Sequence, residues 1–296
     1  MTATLESIRS LRNRVLVFGH MIRFSHSVFA LPFALSGVLF AAHRTGAFPS
    51  AWIWAWVVVA MIGARSAAMA FNRILDRHQD AENPRTRDRA LPAGVLSVRA
   101  AWIFTLLSAA LFILATSQIN RTAFLLSPVA LAIIFFYSTT KRFTWASHFF
   151  LGLALAVAPV GGWVAVTGRL EAAPFVLALG VLAWVAGFDI CYALQDVEVD
   201  RAQGLHSVPA HFNIESAFTA ARLCHVVAVL ILASLVYWLD LSPWYLAGIA
   251  VIAAVLVYEH RLIGPGDWRN LNRAFFDMNA VISVVFLGAS AAGVFL

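Results

Sequence analysis

Charge and cysteine are both scarce in this sequence. Charged residues make up only 12% of its 296 positions, and cysteine occurs twice. A soluble domain of this length needs far more charge to cover its surface, so the scarcity excludes ordinary soluble proteins. Cys191 and Cys224 both fall in apolar runs, which argues against redox chemistry and against a thiolate metal site. The net charge of +6 comes from scattered residues that form no continuous patch, so no nucleic-acid partner is indicated.

Apolar sequence is abundant instead. Hydrophobic residues make up 61% of the chain and the mean hydropathy is +0.81. Because a bilayer core needs about 20 apolar residues per helix, we predict an all-α membrane protein of about nine transmembrane helices. The predicted spans are 22–42, 51–72, 99–117, 122–138, 147–167, 174–195, 216–238, 243–260 and 275–295. They are expected to form a single domain over 21–296, preceded by an amphipathic cytoplasmic segment over 1–20 rather than a cleavable signal peptide.

The distribution of basic residues predicts the orientation. Of the 21 lysines and arginines, 17 fall on one side of the predicted spans and only Arg44, Arg121 and Arg169 fall on the other. The remaining one, Arg65, lies well inside a span. The positive-inside rule therefore predicts a cytoplasmic N-terminus and an external C-terminus. We expect a multi-pass protein of a bacterial inner membrane.

Acidic residues are concentrated directly after the second and sixth spans. Asp76 and Asp80 stand four residues apart, and so do Asp196 and Asp200. This spacing puts each pair on one helical face, where like charges repel unless a cation offsets them. Carboxylates, with the amide of Asn72 one turn earlier, are hard oxygen ligands that suit Mg²⁺. Four spans separate the motifs, so both emerge on the same membrane face, which we expect to be cytoplasmic.

The acidic clusters are also compatible with different kinds of membrane protein. Charged residues just beyond a transmembrane helix are commonly no more than solvated flanks. A secondary transporter uses buried acids to carry ions, and two acidic motifs could mark an internal repeat. Against that alternative, the acids sit at helix ends among arginines rather than near the bilayer midplane. A structural membrane subunit would leave the acidic clusters without a purpose.

Two segments resemble a known family. Residues 65–94 (RSAAMAFNRILDRHQDAENPRTRDRALPAG) resemble the first signature of the UbiA superfamily of intramembrane polyprenyltransferases, and residues 188–212 (FDICYALQDVEVDRAQGLHSVPAHF) resemble its second. Residues 21–37 and 137–168 match more loosely. Arg73 stands where the family usually has a second acid. The pattern looks closest to the UbiA-like branch that includes MqnP, of the futalosine route to menaquinone, and 4-hydroxybenzoate polyprenyltransferases.

The resemblance implies a fold, a reaction and residue roles. The fold is a ring of nine helices around a central cavity that opens sideways to lipid. The reaction transfers a polyprenyl chain from its diphosphate to a small aromatic acceptor, with Mg²⁺ as cofactor. By family match, Asn72, Asp76 and Asp80 would bind one Mg²⁺ and Asp196 and Asp200 a second. Arg85, Lys141 and Arg142 would bind the diphosphate.

The acceptor stays open at the level of sequence. The resemblance allows 4-hydroxybenzoate or 1,4-dihydroxy-6-naphthoate, in ubiquinone or menaquinone synthesis, as well as a porphyrin or glycerol phosphate. An arginine two turns inside a span is costly unless it is paired or hydrated, so Arg65 is a candidate to bind the carboxylate or phenolate of the acceptor. Further acceptor-site candidates are Arg23, Asp189 and Tyr192. Aromatic side chains such as Tyr137 could stabilise an allyl cation.

Overall fold

The computed structural model describes residues 17–19, 21, 30–263, 271 and 273–296, without the side chains of 273–275. Every regular element in this part of the chain is helical. The α-helices are α1 (Leu31–Thr45), α2 (Ala51–Leu75), α3 (Arg77–Glu82), α4 (Val98–Ile119), α5 (Arg121–Thr140), α6 (Ser147–Thr167), α7 (Ala172–Ala193), α8 (Val197–Ala202), α9 (Val208–His211), α10 (Ile214–Trp238), α11 (Trp244–Leu262) and α12 (Asn279–Phe295). A 3₁₀ turn (Leu194–Asp196) joins α7 to α8, and a π-helical turn (Arg273–Met278) precedes α12.

Eight helices in the described residues are long and apolar enough to cross a membrane. The ninth long helix, α1, has 15 residues within that part of the chain. The first predicted span, 22–42, is only partly covered, because residues 22–29 lie outside the described residues, as do Arg23 and residues 1–16 of the predicted amphipathic segment. The prediction of an all-α, multi-pass membrane protein is confirmed.

Short polar residues set the helix boundaries. Asn120 separates α4 from α5 by a single residue, and its side-chain oxygen accepts from the Ala123 N–H at 2.8 Å. Ser97 and Asn213 cap α4 and α10 in the same way. Such caps satisfy backbone donors that a helix leaves free at its start. The single-residue link at Asn120 makes α4 and α5 a tight pair.

The long helices pack as a ring in which α1 also crosses the interior. Neighbouring pairs around the ring are α2–α4, α4–α5, α5–α6, α6–α7, α7–α10, α10–α11, α11–α12, α12–α1 and α1–α2. Helix α1 packs in addition against α6, and this contact divides the ring into two halves. One half is filled by buried aromatic residues, such as Phe33, Trp184 and Phe286. The predicted cavity therefore lies in the other half rather than at the centre.

Two glycines allow α1 and α6 to approach closely. A Cβ atom at Gly37 would overlap the Pro159 carbonyl oxygen, and one at Gly162 would overlap the Ala34 carbonyl oxygen. Small residues let transmembrane backbones touch in this way. Because both obstructing atoms belong to the backbone, neither helix can yield without moving as a whole.

We expect Gly162→Ala to lower the unfolding temperature of the purified protein, because overpacking of this kind costs about 1–3 kcal/mol. The matched control is Gly161→Ala, since a Cβ at Gly161 meets nothing within 4 Å. Alanine also has the better helix propensity, by about 1 kcal/mol. Thermal unfolding in detergent compares the two variants. Equal unfolding temperatures would contradict the role assigned to the α1–α6 contact.

Candidate active site

The two acidic motifs meet at one end of the helix bundle. Helix α2 ends at Leu75, Asp76 follows it, and Asp80 lies in the short helix α3. The second motif is similar, with Asp196 in the 3₁₀ turn after α7 and Asp200 in α8. The sequence predicted that each pair would occupy one face of one helix. The long helix is interrupted at Asp76 in the first motif and at the 3₁₀ turn that contains Asp196 in the second. Asp76 and Asp80 still lie one helical turn apart, since the Asp80 N–H donates to the Asp76 carbonyl at 2.7 Å, and every acid contacts a basic residue of its own.

Four short ion pairs hold these acids, and a longer fifth one joins Asp80 to Arg73 at 3.9 Å. Each carboxylate binds a different basic side chain, and three of the pairs link separate elements. The shortest N–O distances are 2.8 Å for Asp76–Arg142, 2.6 Å for Asp80–Arg89, 2.5 Å for Asp196–Arg85 and 2.7 Å for Asp200–Lys141. Asp80, Asp196 and Asp200 are buried, whereas Asp76 keeps 30% of its side chain exposed. The structure therefore places the predicted metal ligands and the predicted diphosphate ligands Arg85, Lys141 and Arg142 in direct contact.

Helices α2 and α5 are joined at this end by Arg142. Its guanidinium donates to the Leu75 carbonyl at 3.0 Å, to the Ser138 carbonyl at 2.8 Å and to Asp76. Burial raises the pKa of the Asp76 carboxyl above its ordinary value, while the hydrogen bond and charge of Arg142 act in the opposite direction. Arg142 thus favours the ionised carboxylate that a metal ligand requires.

Arg85 connects the loop after α3 to the second motif. It makes two hydrogen bonds to Asp196, and its guanidinium lies 5.5 Å above the ring of Tyr192, whose hydroxyl it also contacts at 3.2 Å. Burial alone would lower the pKa of Arg85, but the hydrogen bonds and charge of Asp196 raise it. Asn83, which the sequence did not indicate, donates to Asp196 at 3.1 Å and accepts from the Arg85 N–H. The Asn-Pro-Arg run over residues 83–85 is the sequence feature that could have identified Asn83.

The donor chemistry of this end fits Mg²⁺. Among the described residues, no three acidic, histidine or cysteine side chains lie together at metal-ligand spacing. The acids nevertheless offer hard oxygen atoms, and Mg²⁺ commonly takes one or two carboxylates together with phosphate oxygens of a substrate. Oδ2 of Asp80 is buried and accepts no hydrogen bond from any residue that the structure describes. The amide of Asn72 donates to Asp76 Oδ2 at 2.8 Å, which orients that carboxylate.

An apolar cavity of 450 Å³ lies in the half of the ring bounded by α1, α2, α4, α5 and α6, and residues of α7 complete its lining. Arg65 is the charged side chain among its described lining residues, and Tyr137, which also lines the cavity, lies within electrostatic range of it. The guanidinium of Arg65 makes no hydrogen bond or ion pair within the described chain, and its Nε atom is fully buried. Tyr137 lies within electrostatic range of both Asp76 and Asp189, so it marks the junction of the cavity with the acidic end.

The cavity reaches the lipid-facing surface. Val129, Leu153 and Phe175 all line it, and they are 55%, 39% and 47% exposed. They belong to α5, α6 and α7 in turn, so the opening faces sideways out of the bundle. A hydrocarbon chain that is longer than the cavity could extend into the bilayer through this opening.

The structure places the acceptor-site candidates in different surroundings. Arg65 lines the cavity, whereas Tyr192 contacts Arg85 and Asp189 is bound to His148 at 2.7 Å. Arg23 lies outside the described residues. His148 was not singled out from the sequence, because none of the histidines shows metal-ligand spacing along the chain.

Comparisons with known proteins agree on one family. The family model described as the UbiA prenyltransferase family matches residues 30–281. A 4-hydroxybenzoate octaprenyltransferase of Thiobacillus denitrificans is 30% identical over 238 residues, 80% of this chain and 81% of that protein. The apo structure of a UbiA homolog from Aeropyrum pernix K1 has a TM-score of 0.80 at 30% identity and covers 90% of this chain and 97% of its own. A UbiA homolog from Archaeoglobus fulgidus bound to GPP and Mg²⁺ shares the fold, with a TM-score of 0.71 at 20% identity over 95% of this chain and 100% of its own.

Proposed function

Because the chain belongs to the UbiA prenyltransferase family, we propose that it transfers a polyprenyl chain from its diphosphate to 4-hydroxybenzoate, with Mg²⁺ as cofactor. In this reaction the allylic C–O bond to the diphosphate breaks, a bond to an aromatic carbon forms, and the ring loses a proton. The observation that carries the proposal is the convergence of four acids and four basic residues beside an apolar cavity.

The acidic end supplies the metal and diphosphate ligands of this scheme. Asn72, Asp76 and Asp80 would bind one Mg²⁺, and Asp196 and Asp200 a second. The chemistry that bound Mg²⁺ supplies is neutralisation of the charge that develops on the departing diphosphate. Arg85, Lys141 and Arg142 already contact these carboxylates, so they stand where a diphosphate on the metal would need them.

The cavity supplies the dry environment that an allylic cation needs. Its lining is almost entirely apolar, with walls formed by residues such as Met61, Phe112 and Ile134. Excluding water prevents capture of the cation before the acceptor reacts. The sideways opening would let the tail of a long polyprenyl chain lie among the lipids while the reacting end stays inside.

The choice of an aromatic acid as acceptor rests on Arg65 and on the relatives. The guanidinium of Arg65, which has no ion pair among the described residues, lines an apolar cavity and is suited to bind a carboxylate. The relative from T. denitrificans is described as a 4-hydroxybenzoate octaprenyltransferase, which favours 4-hydroxybenzoate over a naphthoate and implies a role in ubiquinone synthesis. A role as a secondary transporter explains the positions of the acids less well, because they lie at helix ends and not near the middle of the spans.

The membrane orientation is part of the same proposal. Arg44, Arg121 and Arg169 lie at the end of the bundle opposite to the acids, whereas most other basic residues in the described part of the chain lie near the acidic end. The positive-inside rule then places the active site at the cytoplasmic face.

The proposal is tested by incubating the purified protein with a long-chain prenyl diphosphate and 4-hydroxybenzoate, with and without Mg²⁺. We expect diphosphate release and a prenylated acid only when Mg²⁺ is present. A parallel reaction with 1,4-dihydroxy-6-naphthoate distinguishes the two acceptors. Prenylation of the naphthoate alone would overturn the acceptor, and no diphosphate release with either acid would overturn the reaction.

A further inference from the structure

His148 is a buried histidine that connects two helices and a loop. It lies near the start of α6, is 2% exposed, and has its Nδ1 atom 2.7 Å from Asp189 Oδ2 on α7. Its Nε2 atom accepts a hydrogen bond from the Val208 backbone N–H at 3.1 Å. Because an N–H group can only donate, Nε2 carries no proton, and Nδ1 is the donor to Asp189. The contacts therefore require a neutral imidazole in one tautomer.

The segment that His148 holds, residues 205–208, is bound along its backbone. Three of its backbone N–H groups donate hydrogen bonds. The N–H of Leu205 donates to the Asp200 carbonyl at 2.8 Å, and that of His206 donates to the Lys141 carbonyl at 2.7 Å. The N–H of Val208 donates to His148 Nε2 at 3.1 Å. The hydroxyl of Ser147, next to His148, donates to the His206 carbonyl at 3.3 Å. The start of α6 thus binds the segment on both sides of Ser207.

Ser207 connects the 205–208 segment to the acidic end. It is fully buried, and its hydroxyl donates to Asp200 Oδ2 at 3.0 Å. The other oxygen of the same carboxylate, Oδ1, is bound by Lys141 at 2.7 Å. Both oxygens of Asp200 are therefore held by groups whose positions depend on the 205–208 segment, since the backbone of Lys141 is bound to that segment as well.

We propose that His148 is a positioning residue for Asp200 and Lys141. It contacts neither of them, and it acts by holding the backbone at Val208, so that Ser207 and Lys141 keep the Asp200 carboxylate oriented. Substitution of residues that orient metal ligands without binding the metal commonly changes metal affinity or activity by a factor on the order of 10 to 100. This inference rests on the proposed function, in which Asp200 and Lys141 bind Mg²⁺ and diphosphate.

The test uses His148→Leu and His148→Gln in the full chain purified in detergent. The probe is inorganic diphosphate, titrated by calorimetry at several Mg²⁺ concentrations, with the unfolding temperature of each variant recorded. We expect His148→Leu to weaken Mg²⁺-dependent diphosphate binding on the order of tenfold or more. Glutamine can donate to Asp189 and accept from the Val208 N–H, so His148→Gln should restore most of the affinity. If His148→Leu does not fold, Ser207→Ala should weaken binding in the same direction.

A matched control is His43→Leu at the opposite end of the bundle. His43 also makes one side-chain contact to a backbone group, the Leu239 carbonyl at 3.1 Å, and its loss should leave diphosphate binding unchanged. Wild-type affinity in His148→Leu would overturn the positioning role while the proposed function stands. Equal losses of affinity in His148→Leu and His148→Gln would overturn it too, because packing alone would then be sufficient to cause them. Absence of Mg²⁺-dependent binding in the unmodified protein would instead count against the proposed function.

Discussion

Asp196→Asn should reduce Mg²⁺-dependent diphosphate release by a factor on the order of 1,000, the scale seen when one electrostatic partner of a transition state is removed. The substitution preserves the shape of the side chain but removes the charge that binds Arg85 through two hydrogen bonds. The new amide N–H₂ group would also face a donor, because both the Arg85 guanidinium and the Asn83 amide donate to Asp196. The measurement is the initial rate of diphosphate release at saturating substrate over a range of Mg²⁺ concentrations.

Glu198→Gln provides the matched control for that variant. It removes the same charge two residues further along the chain, on an exposed side chain of α8. Surface substitutions of this kind usually change stability by less than about 0.5 kcal/mol, so the rate should stay near that of the unmodified protein. If Asp196→Asn kept most of the rate, or if both variants lost it equally, Asp196 would not be a metal ligand.

Arg65→Leu should raise KM for the aromatic acid roughly a hundredfold, because a hydrogen bond to a charged group contributes about 3 kcal/mol at most. KM for the prenyl diphosphate should change little, since the basic residues around the acids bind that substrate. The same variant should also have a higher unfolding temperature. Arg65 lines an apolar cavity without an ion pair in the described chain, and an arginine inside a membrane costs on the order of 3 kcal/mol.

Arg121→Leu is the control for Arg65, because Arg121 is exposed at the opposite end of the bundle. It should change neither the acceptor KM nor the unfolding temperature appreciably. Arg65→Lys keeps the charge but loses the planar fork, so it should retain part of the acceptor affinity. An unchanged acceptor KM in Arg65→Leu would remove this residue from the acceptor site.

Hydropathy was sufficient to locate most of the helices. The predicted span 147–167 coincides with α6, and Asn120, at the turn between α4 and α5, falls between the predicted spans 99–117 and 122–138. These features depend on residues that are adjacent in the chain. The close packing of α1 on α6 depends on Gly37 meeting Pro159 and on Gly162 meeting Ala34. A contact across so many residues leaves no periodic signal, so the displacement of the cavity into one half of the ring could not be predicted.

The residue types of the acidic end could also be predicted from the sequence, but the ion pairs between them could not. Residue types and the even number of intervening spans predicted that the two motifs would share a membrane face. The partner of each acid could not be predicted, because Asp196 binds Arg85 and Asp200 binds Lys141 across long separations. Asp189 is a similar case. It was a candidate for the acceptor site, and the structure pairs it with His148, whose other contact lies 60 residues away.

The proposed enzyme depends on Asp76, Asp80, Asp196 and Asp200 binding a divalent metal together with a diphosphate. A crystal structure of the protein with Mn²⁺ in place of Mg²⁺ and a non-hydrolysable prenyl thiodiphosphate, analysed by anomalous scattering, would locate both. We expect anomalous peaks against these carboxylates, with Arg85, Lys141 and Arg142 turned toward the diphosphate. Clear density for the ligand with its diphosphate bound elsewhere, or with no metal between it and the four acids, would refute the metal assignment.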